Sequence, residues 1–300
     1  MRKILNIGSI NIDYVYTVPH FIREGETLLT SSREIFHGGK GLNQSIALAR
    51  AGANIYHASM IGDDGESLLE TLQSAGVNTE QVRKGTSPTG HTVIQIDPSG
   101  LNCILLFPGA NRDLDEKFVD NALSDFSKED TLVLQNEVSA ITYAIKKAKE
   151  KGMKVAFTPS PFGEEILRYP LDLVDWWLLN ETEGKGLTGE DSPSEILGAM
   201  GRKYGGATIA LTLGEQGVMC LHGGKLFNQK AYKVNAVDTT AAGDTFAGYF
   251  ISAVTVGTDI EKALQTASLA AALSVTKKGA ADSIPRMEEV EKLLAEFEGM

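Results

Sequence analysis

Cysteine is scarce in this sequence. Of 300 residues only two are cysteines, Cys103 and Cys220, and they stand far apart in strand-like runs. This excludes a disulfide framework and a cysteine-based zinc site. The five histidines show no metal-ligand spacing, so we expect no transition metal. A reducing, cytoplasmic location fits this composition best.

Long hydrophobic runs and basic clusters are also missing. Asn6, Asn11 and Asp13 interrupt the N-terminal apolar run before it reaches the length of a signal peptide or a membrane span. The formal net charge of −11 disfavours contact with nucleic acid or an anionic membrane. We therefore expect no nucleic-acid partner and no membrane partner, and an anionic nucleotide would need a local binding device.

Short apolar runs alternate with helical patterns along most of the chain. The runs predicted as strands are residues 4–10, 54–62, 131–136, 154–159, 173–180 and 207–214. Helical spacing occupies residues 43–51, 65–75, 139–151, 194–204, 243–256, 259–276 and 286–298. This alternation predicts one α/β domain over residues 1–300, with helices on both faces of a mostly parallel sheet.

Two segments, residues 12–36 and 88–107, read as extended hairpins rather than crossovers. In the second, the sequence Asp97 to Gly100 places proline and glycine where a turn needs them, between two β-rich arms. We predict that both segments lie outside the main sheet and form a small antiparallel flap. Such a flap could act as a lid that excludes water.

The stretch "NAVDTTAAGDTFAG", residues 235–248, places two aspartates around small residues before a predicted helix. If Gly243 and Asp244 begin that helix, the N–H groups of residues 241–244 are free to bind a phosphate in transfer. Asp244 could be an N-cap, or the base that takes the proton of an attacking hydroxyl. Asp238 could be a turn residue or an oxygen ligand of a cation. This stretch alone leaves both choices open.

A second glycine-rich stretch is "HGGKGLNQSIALARAGA", residues 37–53. Its glycines around Lys40 permit a polyol or a phosphate to touch the backbone, and Asn43 is predicted to open the following helix. It is not a P-loop, because Leu42 stands after Gly41 where Ser or Thr is required. A plain glycine turn with an Asn cap is the alternative.

Polar residues follow three predicted strands. Asn11 and Asp13, two residues apart in an extended segment, would point the same way and could bind adjacent hydroxyls. Asn180 and Glu183 could hold a hydrated Mg²⁺ near phosphates. The turn from Thr212 to Gly217 could pass close to a nucleotide. Turn residues without a ligand are the alternative for Asn11 and Asp13 and for the turn from Thr212 to Gly217.

In their order and spacing these segments resemble the ribokinase family of carbohydrate kinases, also called the PfkB family, over nearly the whole chain. The resemblance rests on "FHGGKGLNQSIALARAG" and "DTTAAGDTFAG", with "TGHTVIQI", "PGAN", "NETE" and "LTLGEQGV" between them. It implies a ribokinase-like three-layer α/β fold with a small β-sheet lid, and an ATP-dependent sugar kinase that uses Mg²⁺ and is activated by K⁺. The expected acceptor is the primary hydroxyl, O5, of a pentose, and D-ribose is the pentose that we expect before any other. The alternatives are deoxyribose, another pentose, a hexose derivative or a nucleoside, and, in another class, a non-catalytic sugar-binding protein.

The resemblance also implies individual roles. Asp244 matches the general base, and Ala241, Ala242 and Gly243 match the anion hole. Sugar-binding positions are matched by Asn11, Asp13, Gly39, Lys40, Gly41, Asn43, Glu137 and Asp244. Nucleotide and Mg²⁺ positions are matched by Asn180, Glu183, Thr212, Leu213, Gly214, Glu215, Gln216, Gly217, Gly243 and Ser268, where Ser268 replaces a histidine that is frequent in the family. The K⁺ site is matched by Asp238, Thr240, Ser274, Lys277, Gly279 and Ser283. A homodimer through the lid strands is also implied.

Overall fold

The computed structural model describes residues 2–298, which form two β-sheets surrounded by helices. The strands are β1 (Lys3–Ile7), β2 (Asn11–Thr17), β3 (Ser32–Gly38), β4 (Asn54–Ile61), β5 (Asn78–Lys84), β6 (Gly90–Ile96), β7 (Asn102–Phe107), β8 (Thr131–Gln135), β9 (Lys154–Thr158), β10 (Trp176–Asn180), β11 (Thr208–Thr212), β12 (Val218–His222) and β13 (Lys225–Gln229). The α-helices are α1 (Lys40–Arg50), α2 (Glu66–Ser74), α3 (Glu116–Ala122), α4 (Ile141–Glu150), α5 (Glu181–Thr188), α6 (Pro193–Lys203), α7 (Ala242–Thr255), α8 (Ile260–Ser274) and α9 (Met287–Glu298). Within residues 2–298, no helix combines the length and the apolar character needed to cross a membrane.

The main sheet has the strand order β13-β12-β11-β10-β9-β8-β1-β4-β5. Its strands run parallel from β11 to β5, and the β12–β13 hairpin adds an antiparallel edge. The prediction of a mostly parallel sheet is therefore confirmed. Sequence patterns missed β5 because it is an edge strand whose residues are half-buried or exposed, so its apolar signal is weak.

Helices cover both faces of the main sheet, as predicted. In β1, Ile4 packs into a core with side chains of α1, α2, α7, α8 and α9, whereas Leu5 and Ile7 pack into the opposite core with α3, α4, α5 and α6. Successive side chains of a strand point to opposite faces, so one strand supplies both cores. Each fully buried side chain of this kind contributes roughly 1.5–3 kcal/mol. The two cores fix the carboxyl ends of the strands, where the candidate site lies.

The second sheet has the order β3-β2-β6-β7 and contains most of the segments 12–36 and 88–107. The β2–β3 and β6–β7 pairs are antiparallel, which confirms both hairpins. Strands β2 and β6 pair in parallel, so the prediction of a wholly antiparallel flap is wrong. The two hairpins meet through their first strands, and no local pattern reports how separate hairpins join.

The helix after the second glycine-rich stretch begins earlier than predicted. It starts at Lys40, after Gly39 with φ 92°, and the N–H of Asn43 donates to Gly39 O at 3.0 Å. Asn43 therefore lies in the first turn, and the prediction that it opens the helix is wrong. The left-handed backbone of Gly39, which favours glycine, allows this earlier start. The Asn43 side chain is consequently free to contact another element.

Candidate functional site

Two adjoining cavities lie where main-sheet strands end. The larger, about 620 Å³, is lined by Thr212, Gly214, Glu215, Gly217, Gly243 and Ser268, among others. The smaller, about 240 Å³, is lined by Lys40, Asn180, Glu183, Ala241, Ala242, Gly243 and Asp244, among others. The start of α7 borders both cavities. Of the predicted nucleotide residues, Leu213 packs into the core, and Gln216 lies in the short 3₁₀ turn Gly214–Gln216.

The turn before α7 exposes backbone at the junction of the cavities. Ala241 has φ 60°, a left-handed conformation that costs a non-glycine residue roughly 1 kcal/mol or more. A Cβ placed on Gly243 would meet no atom of the described chain within 4 Å, so the space in front of it is open. The first N–H groups of a helix lack partners within the helix and carry partial positive charge. The N–H of Ala242 donates to Thr239 O at 3.3 Å, so the prediction that this group is free is wrong. The other N–H groups of the turn can receive an anion.

Asp244 is a nearly buried carboxylate, 8% exposed, on the first turn of α7. Its Oδ2 accepts from Asn43 Nδ2 at 3.2 Å, and its Oδ1 accepts from Gln44 Nε2 at 3.0 Å. In the described chain it makes no capping bond at the start of α7, so the N-cap interpretation is wrong. Gln44 was not identified from the sequence, although it adjoins Asn43 in the same signature.

Lys40 lies among acidic side chains. Burial lowers its pKa, but the Asp244, Glu137 and Glu183 carboxylates outweigh burial and leave the pKa above its usual value. The Lys40 N–H also donates to Glu137 Oε2 at 3.1 Å. Ser9 Oγ donates to the same oxygen, a contact that the sequence did not reveal. The ammonium is therefore charged at neutral pH and lies near the proposed base.

Asn11 and Asp13 lie on β2 and share a face of the second sheet. Asn11 Oδ1 accepts from Asn111 Nδ2 at 2.8 Å, and Asp13 Oδ1 accepts from Thr92 Oγ1 at 2.6 Å. Burial raises the pKa of Asp13 to about 6, the Thr92 hydrogen bond lowers it and the charge of Glu137 raises it. A Cβ on Gly38 would lie 2.0 Å from Asp13 Oδ2, so any larger residue there would displace the Asp13 carboxylate. The sequence did not single out Thr92 or Asn111.

Asn180 and Glu183 form a capping box at the start of α5. The Asn180 side chain accepts the Glu183 N–H at 3.0 Å, and Glu183 Oε2 accepts the Asn180 N–H at 2.9 Å. These two side chains therefore cap α5, a role that the sequence did not predict. Both residues also line the smaller cavity, where Glu183 can bind a hydrated cation through water. Among residues 2–298, no cluster of three or more His, Cys, Asp or Glu could hold a metal directly.

Asp238 joins two loops beside the start of α7. Its Oδ1 accepts from the Thr240 N–H at 2.9 Å, and its Oδ2 accepts from the Gly279 N–H at 3.0 Å. The N–H of Asp238 donates to Val275 O at 3.1 Å. The hydroxyls of Ser274 and Ser283, both fully buried, donate to Ala271 O and Ala280 O. Lys277 Nζ pairs with Glu289, so Lys277 can offer this loop only its backbone.

Comparison with known proteins decides the family. A model described as pfkB family carbohydrate kinase matches residues 1–287. The chain belongs to the pfkB family of carbohydrate kinases. This pfkB-family kinase is 38% identical to the ribokinase of Haemophilus influenzae, with 98% of this chain and 99% of that protein covered. It is 34% identical to the deoxyribokinase of Salmonella typhi, with 96% and 97% covered. Its fold matches the structure of Arabidopsis thaliana ribokinase complexed with ribose and ATP at a TM-score of 0.84, with 31% identity and 98% and 99% of the two chains covered.

Proposed function

We propose that this pfkB-family kinase transfers the γ-phosphate of ATP to O5 of D-ribose and forms ribose 5-phosphate and ADP. The observation that carries the proposal is Asp244, a nearly buried carboxylate on the smaller cavity, one residue after Gly243, which borders both cavities. A base on one cavity, next to backbone that borders both, is the arrangement that in-line transfer between two substrates needs. The named activities of the H. influenzae and A. thaliana proteins support ribose as the acceptor.

The sugar is proposed to lie between the second sheet and the start of α1. Asp13 and Glu137 offer carboxylate oxygens there, and Lys40 and Asn43 offer donors. A small polyol matches this set because each hydroxyl can both donate and accept. The full proposed sugar set is Asn11, Asp13, Gly39, Lys40, Gly41, Asn43, Glu137 and Asp244. Lid closure by residues 12–36 and 88–107, within a single domain, would exclude water from this region.

ATP is proposed to occupy the larger cavity, whose volume of about 620 Å³ falls in the usual range for ligand sites. The turn Thr212–Gly217 and Ser268 would contact the nucleoside, and the turn Ala241–Gly243 would receive the transferring phosphoryl group. Asp244 removes the O5 proton as O5 bonds to the γ-phosphorus and the bond to the β–γ bridging oxygen breaks. Free N–H groups and the Lys40 ammonium offset the negative charge on the phosphoryl oxygens. Asp244 then releases the proton to solvent.

Mg²⁺ and K⁺ are proposed as the cations of this reaction. Glu183, with Asn180, would hold hydrated Mg²⁺, which when bound would neutralise charge on the ATP phosphates. For K⁺, the proposed oxygen set comprises the Asp238 carboxylate with positions Thr240, Ser274, Lys277, Gly279 and Ser283. Its donors are hard oxygens, and the contact between Asp238 and Gly279 ties the two loops together. A cation there would stabilise the turn that precedes Ala241.

A homodimer through the lid strands and a cytoplasmic location complete the proposal. Every residue of β7 is exposed, and Leu105 (72% exposed), Ile104 (54%) and Phe107 (46%) present apolar surface on this edge strand. Unpaired, apolar edge strands invite association. The cytoplasm is supported by the low number of cysteines.

The decisive experiment is a panel of acceptors with ATP and Mg²⁺. D-ribose, 2-deoxyribose, other pentoses, fructose derivatives and nucleosides are compared by ADP release, and the position of the phosphate is determined by ³¹P NMR. We expect the highest kcat/KM with ribose and phosphate on O5. Higher kcat/KM with deoxyribose, an activity named for the S. typhi relative, would change the acceptor but keep the reaction. Sugar binding without ADP release from any acceptor would instead support a non-catalytic sugar-binding protein.

A further inference from the structure

A row of buried amides connects Asp244 with the centre of the main sheet. Gln44, fully buried on α1, donates its Nε2 to Asp244 Oδ1 at 3.0 Å, and its Oε1 accepts from Gln135 Nε2 at 2.7 Å. Gln135 Nε2 also donates to Asn6 Oδ1 at 3.1 Å. Asn6 Nδ2 donates to the carbonyl oxygen of Gly41 at 2.9 Å. Asn6, Gln135 and Gln44 form an amide relay that ends on the carboxylate of Asp244.

The direction of this relay follows from the Gly41 carbonyl, which lies at the end opposite Asp244. A backbone carbonyl only accepts, so Asn6 must turn its NH₂ group to Gly41 and its oxygen to Gln135. Gln135 must then donate to Asn6, and its same NH₂ group faces the oxygen of Gln44. The NH₂ group of Gln44 is left to face Asp244. The Oε1 of Gln135 has no hydrogen-bond partner among the described residues, as expected when its NH₂ group serves both neighbours.

We propose that Gln44 is a positioning residue for phosphoryl transfer, and that Asn6 and Gln135 fix its amide so that it always donates to Asp244. The inference rests on the proposed function, since it assigns Gln44 to the proposed base. Hydrogen bonds to a carboxylate favour its ionised form and restrict its rotation. Gln44 is not among the residues that line either cavity in the described chain, but its Nε2 contacts two that line the smaller one, Asp244 at 3.0 Å and Thr158 Oγ1 at 3.3 Å. Its action on the substrates therefore passes through these neighbours, and the shorter contact is the one to the carboxylate.

The Gln44→Met variant tests the positioning role. Met keeps the volume but removes the donor, so we expect kcat to fall roughly tenfold or more while KM for sugar and ATP stays within about twofold. Lys40 and the Glu137 and Glu183 carboxylates that act on it are unchanged in this variant. A kcat within twofold of wild type would overturn the proposal.

Gln135 offers a second test, because it reaches the proposed base only through Gln44 in the relay. In Gln135→Glu the new carboxylate accepts from Gln44, which then turns its own oxygen to Asp244. We expect this variant to lose more kcat than Gln135→Met, which removes the donor without presenting an acceptor. Equal losses in both variants would show that the direction of the relay has no effect and would overturn its role. Thr208→Val controls for a general loss of stability. Thr208 begins β11, whereas Thr212 at the other end of the strand lines the cavities, and the variant removes a hydroxyl that bonds His222 Nδ1 at 2.8 Å.

A measurement without turnover separates this proposal from the proposed function. In protein labelled with ¹⁵N-glutamine, the side-chain NH₂ signal of Gln44, identified by its loss in Gln44→Met, should shift in Asp244→Asn. An unshifted signal would overturn the contact, even if the wild-type protein proved inactive on every acceptor. A shifted signal in an inactive wild-type protein would confirm the contact and reject the proposed function. A shifted signal with unimpaired kcat in Gln44→Met would reject positioning alone.

Discussion

The Asp13 carboxyl should make kcat/KM for the sugar depend on pH. Burial raises its pKa from the ordinary 3.8 to about 6. If the sugar requires the ionised form as an acceptor, kcat/KM for ribose is lost as the pH falls through 6. About a tenth of Asp13 is then ionised at pH 5 and about nine-tenths at pH 7, so we expect roughly a tenfold decline between these values. An ordinary aspartate would remain largely ionised throughout this range.

Thr92→Val tests the cause of this pH dependence. The variant removes the 2.6 Å hydrogen bond from Thr92 Oγ1, which lowers the pKa of Asp13. Loss of a bond to a charged group, worth about 1.5 kcal/mol, should move the midpoint of kcat/KM up by roughly one pH unit. The assay measures initial rates of ADP formation by chromatography at saturating ATP and Mg²⁺, from pH 4.5 to 8.

This test compares the midpoint of kcat/KM between variants rather than its absolute value. ATP itself titrates in the same pH range, but it does so equally with every variant. Thr17→Val is the matched control, since Thr17 lies on the same strand as Asp13 and bonds Ser32 Oγ at 2.9 Å instead. Its midpoint should equal that of the wild type. A wild-type midpoint below pH 5, or an unshifted midpoint in Thr92→Val, would refute the assignment of this limb to Asp13.

Three further predictions follow from the site. Asp244→Ala should lower kcat by a factor of roughly 10² to 10⁴ while ribose binding by calorimetry stays near normal; undiminished turnover would refute its role as the base. Replacing K⁺ by Na⁺ should lower the rate of the wild-type protein but change Asp238→Asn little, and equal rates in the two salts for the wild type would reject the K⁺ site. Leu105→Glu should convert a dimer into a monomer by light scattering, with Leu226→Glu on β13, where Leu226 is 51% exposed, as the matched control; a wild-type protein that is already monomeric would contradict the dimer.

Local patterns were sufficient for most of the fold. Buried parallel strands such as β8 and β11 are continuous apolar runs, so their positions could be read without knowing their neighbours. The edge strand β5 could not be predicted in this way, because its apolar pattern is weak. The parallel contact between β2 and β6 could not be predicted either, because it joins two hairpins that are distant in the sequence. The register that brings Thr92 beside Asp13 is a property of that contact.

The sequence by itself determined the fold class and the two glycine-rich turns, because periodicity, small residues and turn chemistry are local. It left Asp244 as either a cap or a base. The tertiary structure excluded the cap, because α7 has no side-chain capping bond and the Asp244 carboxylate instead accepts from Asn43 and Gln44, some 200 positions earlier in the chain. It also supplied the partners Ser9, Thr92 and Gln135. Hydrogen bonds between distant residues depend on how α1 packs against α7 and β8, and a pattern along one segment carries no information about that packing.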